Sequence, residues 1–229
     1  MKIKNLGIIC AKKYSSGLKR KNLKKIDGKS LFEITCGHFK KSKLVEKVIV
    51  STDSDEISKI AKKYDFDVPF KRPKYLSRKL SPEWNVWKHA LDFFHKKYEY
   101  YPERVIILPC TSPKRDPAII DKSIRKFQRM NSDVLISICK TNLNPFFNMV
   151  KIKKNKKINI FQKSKKKIYN RQEATQVFKI ATNIYILKSY HILKKNHIFQ
   201  TNKIDYIEIE KRRAIDIDDE LDFKIAKNI

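Results

Sequence analysis

LGIICAKKYSSGLKRKNL, residues 6–23, opens on an apolar run and stops abruptly in a basic segment. Positions 6–11 are short, continuous and apolar, the pattern of a strand buried on both faces. The segment behind them carries Lys12, Lys13, Lys19, Arg20 and Lys21, with one glycine, Gly17, among small and polar residues. In open α/β sheets, ligands sit beyond the carboxyl ends of the strands, so this loop stands where a phosphate site belongs. Backbone N–H groups from Ser15 to Gly17, with Lys12 at the entry and Lys21 and Asn22 at the exit, suit a triphosphate. The plainer reading is a solvated basic patch. The loop is not a P-loop: Gly28-Lys29-Ser30 ends like one, but position 23 is Leu where the leading glycine is required. No GxGxxG occurs either.

Working outward, further strands are expected at 47–52, 105–110, 133–139, 182–187 and 205–209, and helices at 30–40, 55–64, 83–98, 117–130 and 220–227. Ser54 or Asp55 is placed to cap the second helix. Ser81-Pro82-Glu83 and Asp116-Pro117 give the next two a cap with proline in the first turn. Strands alternating with helices of this length predict an α/β fold with a mostly parallel sheet and helices on both faces. There is no internal repeat. Residues 151–168, KIKKNKKINIFQKSKKKI, break the rhythm with nine lysines and no acid. They read as an exposed hairpin or arm. The sharper alternative is a positive wall near an anionic substrate, on a neighbouring subunit.

Composition narrows the class. At 229 residues and 41% hydrophobic content, the chain has enough apolar material for one globular domain. Its longest apolar runs fall well short of the roughly 18 residues that span a membrane. The N-terminal run meets lysines rather than a small-residue cleavage site, so a cytoplasmic protein is expected. Cys10, Cys36, Cys110 and Cys139 lack metal or redox spacing and read as reduced, buried thiols. His89 reads as a packing or capping residue. The net charge of +29 raises nucleic-acid binding, but the charge is spread along the chain and no zinc-finger or RRM signature accompanies it. No dedicated nucleic-acid partner is expected.

The segment AIDIDDELD carries the second candidate. Alternation puts Asp216 and Asp218 on one face of an extended segment, and two adjacent carboxylates call for a hard divalent cation. Equally, Asp218 and Asp219 suit the start of the last helix. A basic loop and an Asp pair together fit a nucleoside triphosphate with Mg²⁺, in chemistry driven by positioning and charge neutralisation.

At this point a resemblance covers almost the whole chain. CAKKYSSGLKRKNLKKIDGKSL, KVIVSTDSDEISKIAKKY, the RP of KRPKYL, WNVWKHAL, ILPCTSPKR, NPFFNMV, RQEATQVF followed by NIYIL, and IDIDDELDFKIA run in order from residue 6 to residue 227. This order and spacing resemble the acylneuraminate cytidylyltransferases, or CMP-sialic acid synthetases. The resemblance implies a Rossmann-like nucleotide-diphospho-sugar transferase fold over residues 1–229, with residues about 144–180 as a dimerisation arm. It implies a homodimer and Mg²⁺ or Mn²⁺. It implies transfer of CMP from CTP to the anomeric hydroxyl of a nine-carbon α-keto acid sugar, releasing pyrophosphate and activating the sugar for surface glycan synthesis.

Carried over by position, Lys12 stands where the family usually has a phosphate-contacting Arg. Ser15, Gly17, Lys21 and Asn22 match its loop, and Arg72 matches an arginine near the cytosine. Thr111 and Ser112 match the loop beside nucleotide and sugar. Arg171, Gln172 and Tyr185 fall in the sugar-side segments, and Asp216 and Asp218 match the metal-binding aspartates. Lys21 and the two aspartates are the expected catalytic set. The chain departs from the pattern at Lys12 for Arg, Ser16 for Lys, Pro109-Cys110 for Gln-Pro, and Lys79 for an acid. Lysine keeps the charge but loses the bidentate fork. The RQEATQVF segment lacks an Asn-Gly typical of neuraminic acid enzymes and looks closer to relatives handling legionaminic-type sugars. A CMP-Kdo synthetase and a catalytically degenerate CTP-binding relative stand as alternatives, with a nonspecific nucleic-acid-binding protein more remote. No general base stands out.

Overall fold

The computed structural model describes residues 2–164 and 167–229. In chain order the strands are β1 (Asn5–Cys10), a tight hairpin of β2 (Lys25–Ile26) and β3 (Lys29–Ser30), β4 (Lys47–Ser51), β5 (Arg104–Ile107) and β6 (Val134–Lys140). A second hairpin, β7 (Val150–Ile152) and β8 (Ile158–Ile160), precedes β9 (Phe178–Lys188) and β10 (Ile204–Glu208). The helices are α1 (Leu31–Lys40), α2 (Asp55–Lys63), α3 (Lys74–Ser77), α4 (Glu83–Tyr98), α5 (Ala118–Met130), α6 (Ser189–Lys194) and α7 (Glu220–Lys227).

Six strands form one sheet in the order β10-β6-β9-β5-β1-β4. β4, β1 and β5 pair in parallel, as do β6 and β10. Only β9 runs against its neighbours, pairing antiparallel with both β5 and β6. The sheet is therefore mostly parallel, as expected, with one reversed strand near its middle.

Alternation along the strands makes two cores. Leu6 and Ile8 of β1, with Val105 and Ile107 of β5, pack with Trp84, Trp87, Leu91 and Phe94 of α4. Ile9 and Ile106 face the other way, with Phe32 and Phe39 of α1, Ile57 of α2, Ile124 of α5 and Phe223 of α7. Both faces of the sheet are thus covered, which is why its strands read as continuous apolar runs.

Local signals explain the element ends. Ser30 and Glu33 form a reciprocal capping box on α1, and Ser54 caps α2 through the Ile57 N–H. Asp27 and Gly28 both adopt positive φ in the β2–β3 turn. Gly28-Lys29-Ser30 is therefore a hairpin turn and helix cap. Before α4, Ser81 caps nothing: its hydroxyl donates to the Tyr75 carbonyl, and the helix has no side-chain cap. The lysine-rich stretch contains the exposed β7–β8 hairpin, with Lys165 and Lys166 outside the described residues. No described helix is long and apolar enough to cross a membrane.

Candidate active site

The loop after β1 is fastened at several points. Leu18 is buried in the core. Asn22, also buried, donates from Nδ2 to the Lys12 carbonyl at 2.9 Å, closing the loop on itself. The Lys13 N–H donates to the Asp53 carboxylate at 2.7 Å. Arg20 takes a left-handed conformation (φ 53°) and turns the chain into a short 3-10 turn over Lys21–Leu23. Ser15 is half-buried on the inner side.

Gly17 brings this loop against the acidic segment. A Cβ there would lie 2.3 Å from the Asp218 carbonyl oxygen, so no larger residue fits without moving one backbone off the other. Lys21 makes the second junction. Its ammonium donates to the Ile217 carbonyl at 2.6 Å and to the Asp218 carboxylate at 3.0 Å. The lysine side chain is only 13% exposed, against 77% for Asp218, so the cation is held by the fold and its acid is open to exchange.

The two readings of the aspartates separate cleanly. Asp219 is the helix cap, in a reciprocal box with Asp222 on α7. Asp218 is released from that duty. Ile217 anchors the segment in the core, and its N–H donates to the Thr111 carbonyl at 2.9 Å. Asp216 lies on the other side of the chain from Ile217, half-buried, and its Oδ1 is buried with no hydrogen-bond partner among the described residues. A buried acceptor without a donor is costly unless a cation faces it. No cluster of three or more His, Cys, Asp or Glu side chains suited to a metal occurs among the described residues. Two carboxylates suffice for an ion that completes its shell with water and phosphate, so the donor set fits Mg²⁺ or Mn²⁺.

Beside these residues lies a cavity of about 250 Å³ at the carboxyl ends of β1 and β4. Lys12, Ser15, Lys21, Asn22, Arg72 and Thr111 all line it. Arg72 is 5% exposed; Nε donates to the Ser51 hydroxyl at 3.0 Å and Nη2 to the Ser51 carbonyl. Its Nη1 makes no hydrogen bond to the described residues. Cys10 also lines the cavity, and burial pushes its thiol up to about 12. Burial likewise raises Cys110 to about 11. Both stay protonated near neutrality and are poor nucleophiles.

Glu83, at the start of α4, is the residue that sequence reasoning missed. It is exposed to solvent and lines the cavity. The loss of hydration raises its pKa above the usual carboxylate value. Trp87, Arg72 and Lys12 pull it down, and Asp216 pushes it up. The Trp87 indole N–H approaches this carboxylate, but no hydrogen bond of ordinary geometry closes, and Trp87 Nε1 is buried without a partner. The Tyr185 ring, on β9, lies 6.0 Å from that of Trp87, tilted by 42°. Burial raises its phenol pKa, and the charges of Glu83 and Asp216 raise it further.

Other expected site residues lie apart from this cavity. Ser112 is 1% exposed and spends its hydroxyl on the Thr182 and Ile215 carbonyls, tying the loop after β5 to β9 and the acidic segment. Arg171 and Gln172 sit in an exposed 3-10 turn, where Arg171 donates to Asn142 Oδ1 at 2.6 Å. A larger cavity of about 590 Å³ opens at the opposite end of the sheet, near Arg104 and Lys188, far from the loop and the aspartates.

A cytidylyltransferase family model matches residues 6–223. The CMP-N,N'-diacetyllegionaminic acid synthase of Campylobacter jejuni is 33% identical over 220 residues, covering 96% of this chain and 92% of that protein. Post-translational flagellin modification protein B of Campylobacter coli is 32% identical with the same coverage. Among solved structures, a CMP:2-keto-3-deoxy-manno-octonic acid synthetase complexed with CTP aligns with a TM-score of 0.67 at 16% identity, covering 98% of this chain and 97% of that one. At that identity the likeness is one of fold.

Proposed function

The chain belongs to the cytidylyltransferase family, and from that premise we propose that it transfers CMP from CTP to the anomeric hydroxyl of a nonulosonic acid, releasing pyrophosphate. The observation that carries this reading is the double junction between the basic loop and the acidic segment, at Gly17 and at Lys21. It sets a buried cation and two carboxylates at one edge of a cavity open to solvent.

CTP lies over the loop after β1, with its phosphates on Lys12, Lys21 and the backbone N–H groups near Ser15 and Gly17. Asn22 holds the loop in shape. Arg72 and Thr111 line the nucleoside end of the same cavity. Asp216 and Asp218 are the residues that hold a Mg²⁺ or Mn²⁺ ion, which when bound neutralises charge on the phosphates. Ser112 serves by fixing the loop that carries Thr111. Arg171, Gln172 and Tyr185 are assigned to the sugar. The anomeric oxygen bonds to the α-phosphorus as the bond from that phosphorus to the α,β-bridging oxygen breaks; pyrophosphate leaves with that oxygen, and the hydroxyl proton passes to solvent. Lys21 is catalytic here because it stabilises charge as it builds on the phosphates.

The sugar is a legionaminic-type acid, supported by the match to the C. jejuni enzyme over nearly the full chain. The working form is a homodimer in the cytoplasm. Its arm is the β7–β8 region, supported by the exposed Val150, Ile152, Ile158 and Phe161, which leave an apolar surface without cover.

The test is pyrophosphate release from CTP and Mg²⁺ with a panel of legionaminate, pseudaminate, N-acetylneuraminate and Kdo. Release with a nonulosonate is the expected result. Release with Kdo alone would make the protein a CMP-Kdo synthetase. Binding of CTP without release from any sugar would make it a degenerate relative and point to Lys12 and Ser16.

A further inference from the structure

The cavity beside the loop holds one acid among its cations, and nothing in the CMP-transfer chemistry above uses it. Glu83 shares this 250 Å³ space with Arg72, Lys12 and Thr111. Two of the three Arg72 guanidinium nitrogens are committed to Ser51, which fixes the plane of the group and leaves Nη1 without a partner among the described residues. The guanidinium is buried and cannot swing away. The backbone at Glu83 is held from the other side, while its exposed side chain faces the cavity. Glu83 is the first residue of the 16-residue α4, whose next turn locks Trp84 and Trp87 into the core beneath it. The unpartnered Trp87 Nε1 faces the same carboxylate.

A fixed donor sharing a cavity with an acceptor carried on a helix is a recognition pair. The Watson–Crick edge of cytosine presents acceptors at O2 and N3 and a donor at the exocyclic N4 amine. Uracil places a carbonyl oxygen where cytosine has that amine. A carboxylate accepts from the amine and repels the carbonyl. We infer that Glu83 is a specificity-determining residue, accepting a hydrogen bond from the N4 amine of cytosine while Arg72 donates to the acceptors on the same edge. This rests on reading the cavity as a CTP site. It adds what that reading lacks, a group that tells CTP from UTP. The phosphate contacts of Lys12, Lys21 and the loop are the same for both nucleotides.

Calorimetric titration of CTP and of UTP, each with Mg²⁺, into the full-length wild type, E83Q and E83A tests this. The wild type is expected to bind CTP at least about tenfold more tightly than UTP. Glu83→Gln, whose amide also donates to a carbonyl, should bring the two within about threefold. Glu83→Ala should weaken CTP by about tenfold and, with the repulsion of the uracil carbonyl gone, bind UTP more tightly than the wild type does. Circular dichroism melting checks that each variant is folded, and either variant alone carries the test. An unchanged CTP:UTP ratio in a folded variant would overturn the inference, as would a wild type indifferent to the base. So would a variant that alters only the KM for the sugar, since Glu83 would then serve the acceptor side. If the wild type binds CTP and releases pyrophosphate while the ratio survives substitution, only the role of Glu83 falls. If it binds neither nucleotide, the CTP reading falls with it.

Discussion

The loop over residues 12–22 and the described residues of 141–180, which we propose serve the nucleotide and the sugar, have opposite construction. The first is closed by its own chain. Leu18 is buried, Asn22 bonds back to Lys12, and Gly17 and Lys21 lock onto the acidic segment. The second is open. Arg171 leans on Asn142, Gln172 is exposed, and the β7–β8 hairpin shows Ile152 and Ile158 to solvent at 72% and 65%. A prebuilt site lowers the ordering cost of binding, and an open one waits for another surface. The comparison teaches that the proposed nucleotide half is fastened within one chain, while the proposed sugar half leaves apolar and polar side chains exposed.

The sharpest way to break this contrast is to remove the cation at its centre. Lys21→Ala should lower kcat about a thousandfold with the melting curve little changed, a magnitude typical of losing a group that stabilises transition-state charge. An unchanged rate would take Lys21 out of the site. Next, Asp218→Asn should shift the Mg²⁺ titration of pyrophosphate release to about 10–100-fold higher concentration. An unmoved midpoint would leave Asp218 as a tether for Lys21 only. On the open side, Ile152→Asp combined with Ile158→Asp should convert a dimer to a monomer by light scattering. It should raise the sugar KM about tenfold while leaving CTP affinity within about twofold. A matching loss in CTP affinity would erase the distinction between the halves.

The smallest effect concerns the frame beneath both. His38, buried in α1, faces the buried Arg115, whose Nη1 meets His38 Nδ1 at 3.0 Å. Arginine only donates, so Nδ1 accepts. Burial and then the Arg115 charge lower the His38 pKa from 6.5 to about 3. The unfolded chain therefore takes up this proton first, and stability contributed by neutral His38 is lost as pH falls from about 6.5 toward about 3. The slope is at most about 1.4 kcal/mol per pH unit. His38→Gln should flatten the fall of Tm across that window relative to wild type; an identical slope would show that other groups set it.

Much of this was legible before any coordinates. β1, β4 and β6 appear within two residues of expectation because they carry short, largely buried apolar runs; β10 does too, although it is a half-exposed edge strand, and β5 ends three residues early, at Ile107. The start of β9 was missed: Phe178–Ile180 pair with β6 yet stay exposed, so no burial pattern marks them. Its reversed direction leaves no trace in composition. α3 and α6, four and six residues long, are too short to show a helical period. In the site, Gly17 stands out as the one glycine in a basic loop, whereas Lys21 is one of five basic residues there and is singled out only by the family resemblance. The choice between Asp218 and Asp219 as cap turns on a side-chain rotation that spacing cannot see. Glu83 was invisible for a similar reason. After Ser81-Pro82 it reads as an ordinary first-turn acid, and only the path of α4 past the strand ends brings it to Arg72. Ser112 shows the converse, a hydroxyl in the expected loop that the packing turns inward.

The measurement that tests the central claim most directly follows the phosphorus itself. The protein would be mixed with CTP, Mg²⁺ and N,N'-diacetyllegionaminate labelled with ¹⁸O at the anomeric hydroxyl, and read by ³¹P NMR. The account predicts pyrophosphate growing together with one new phosphodiester resonance, isotope-shifted because the labelled oxygen now bridges sugar and α-phosphorus. Free inorganic phosphate, or a phosphodiester without the shift, would contradict attack by the sugar on the α-phosphorus.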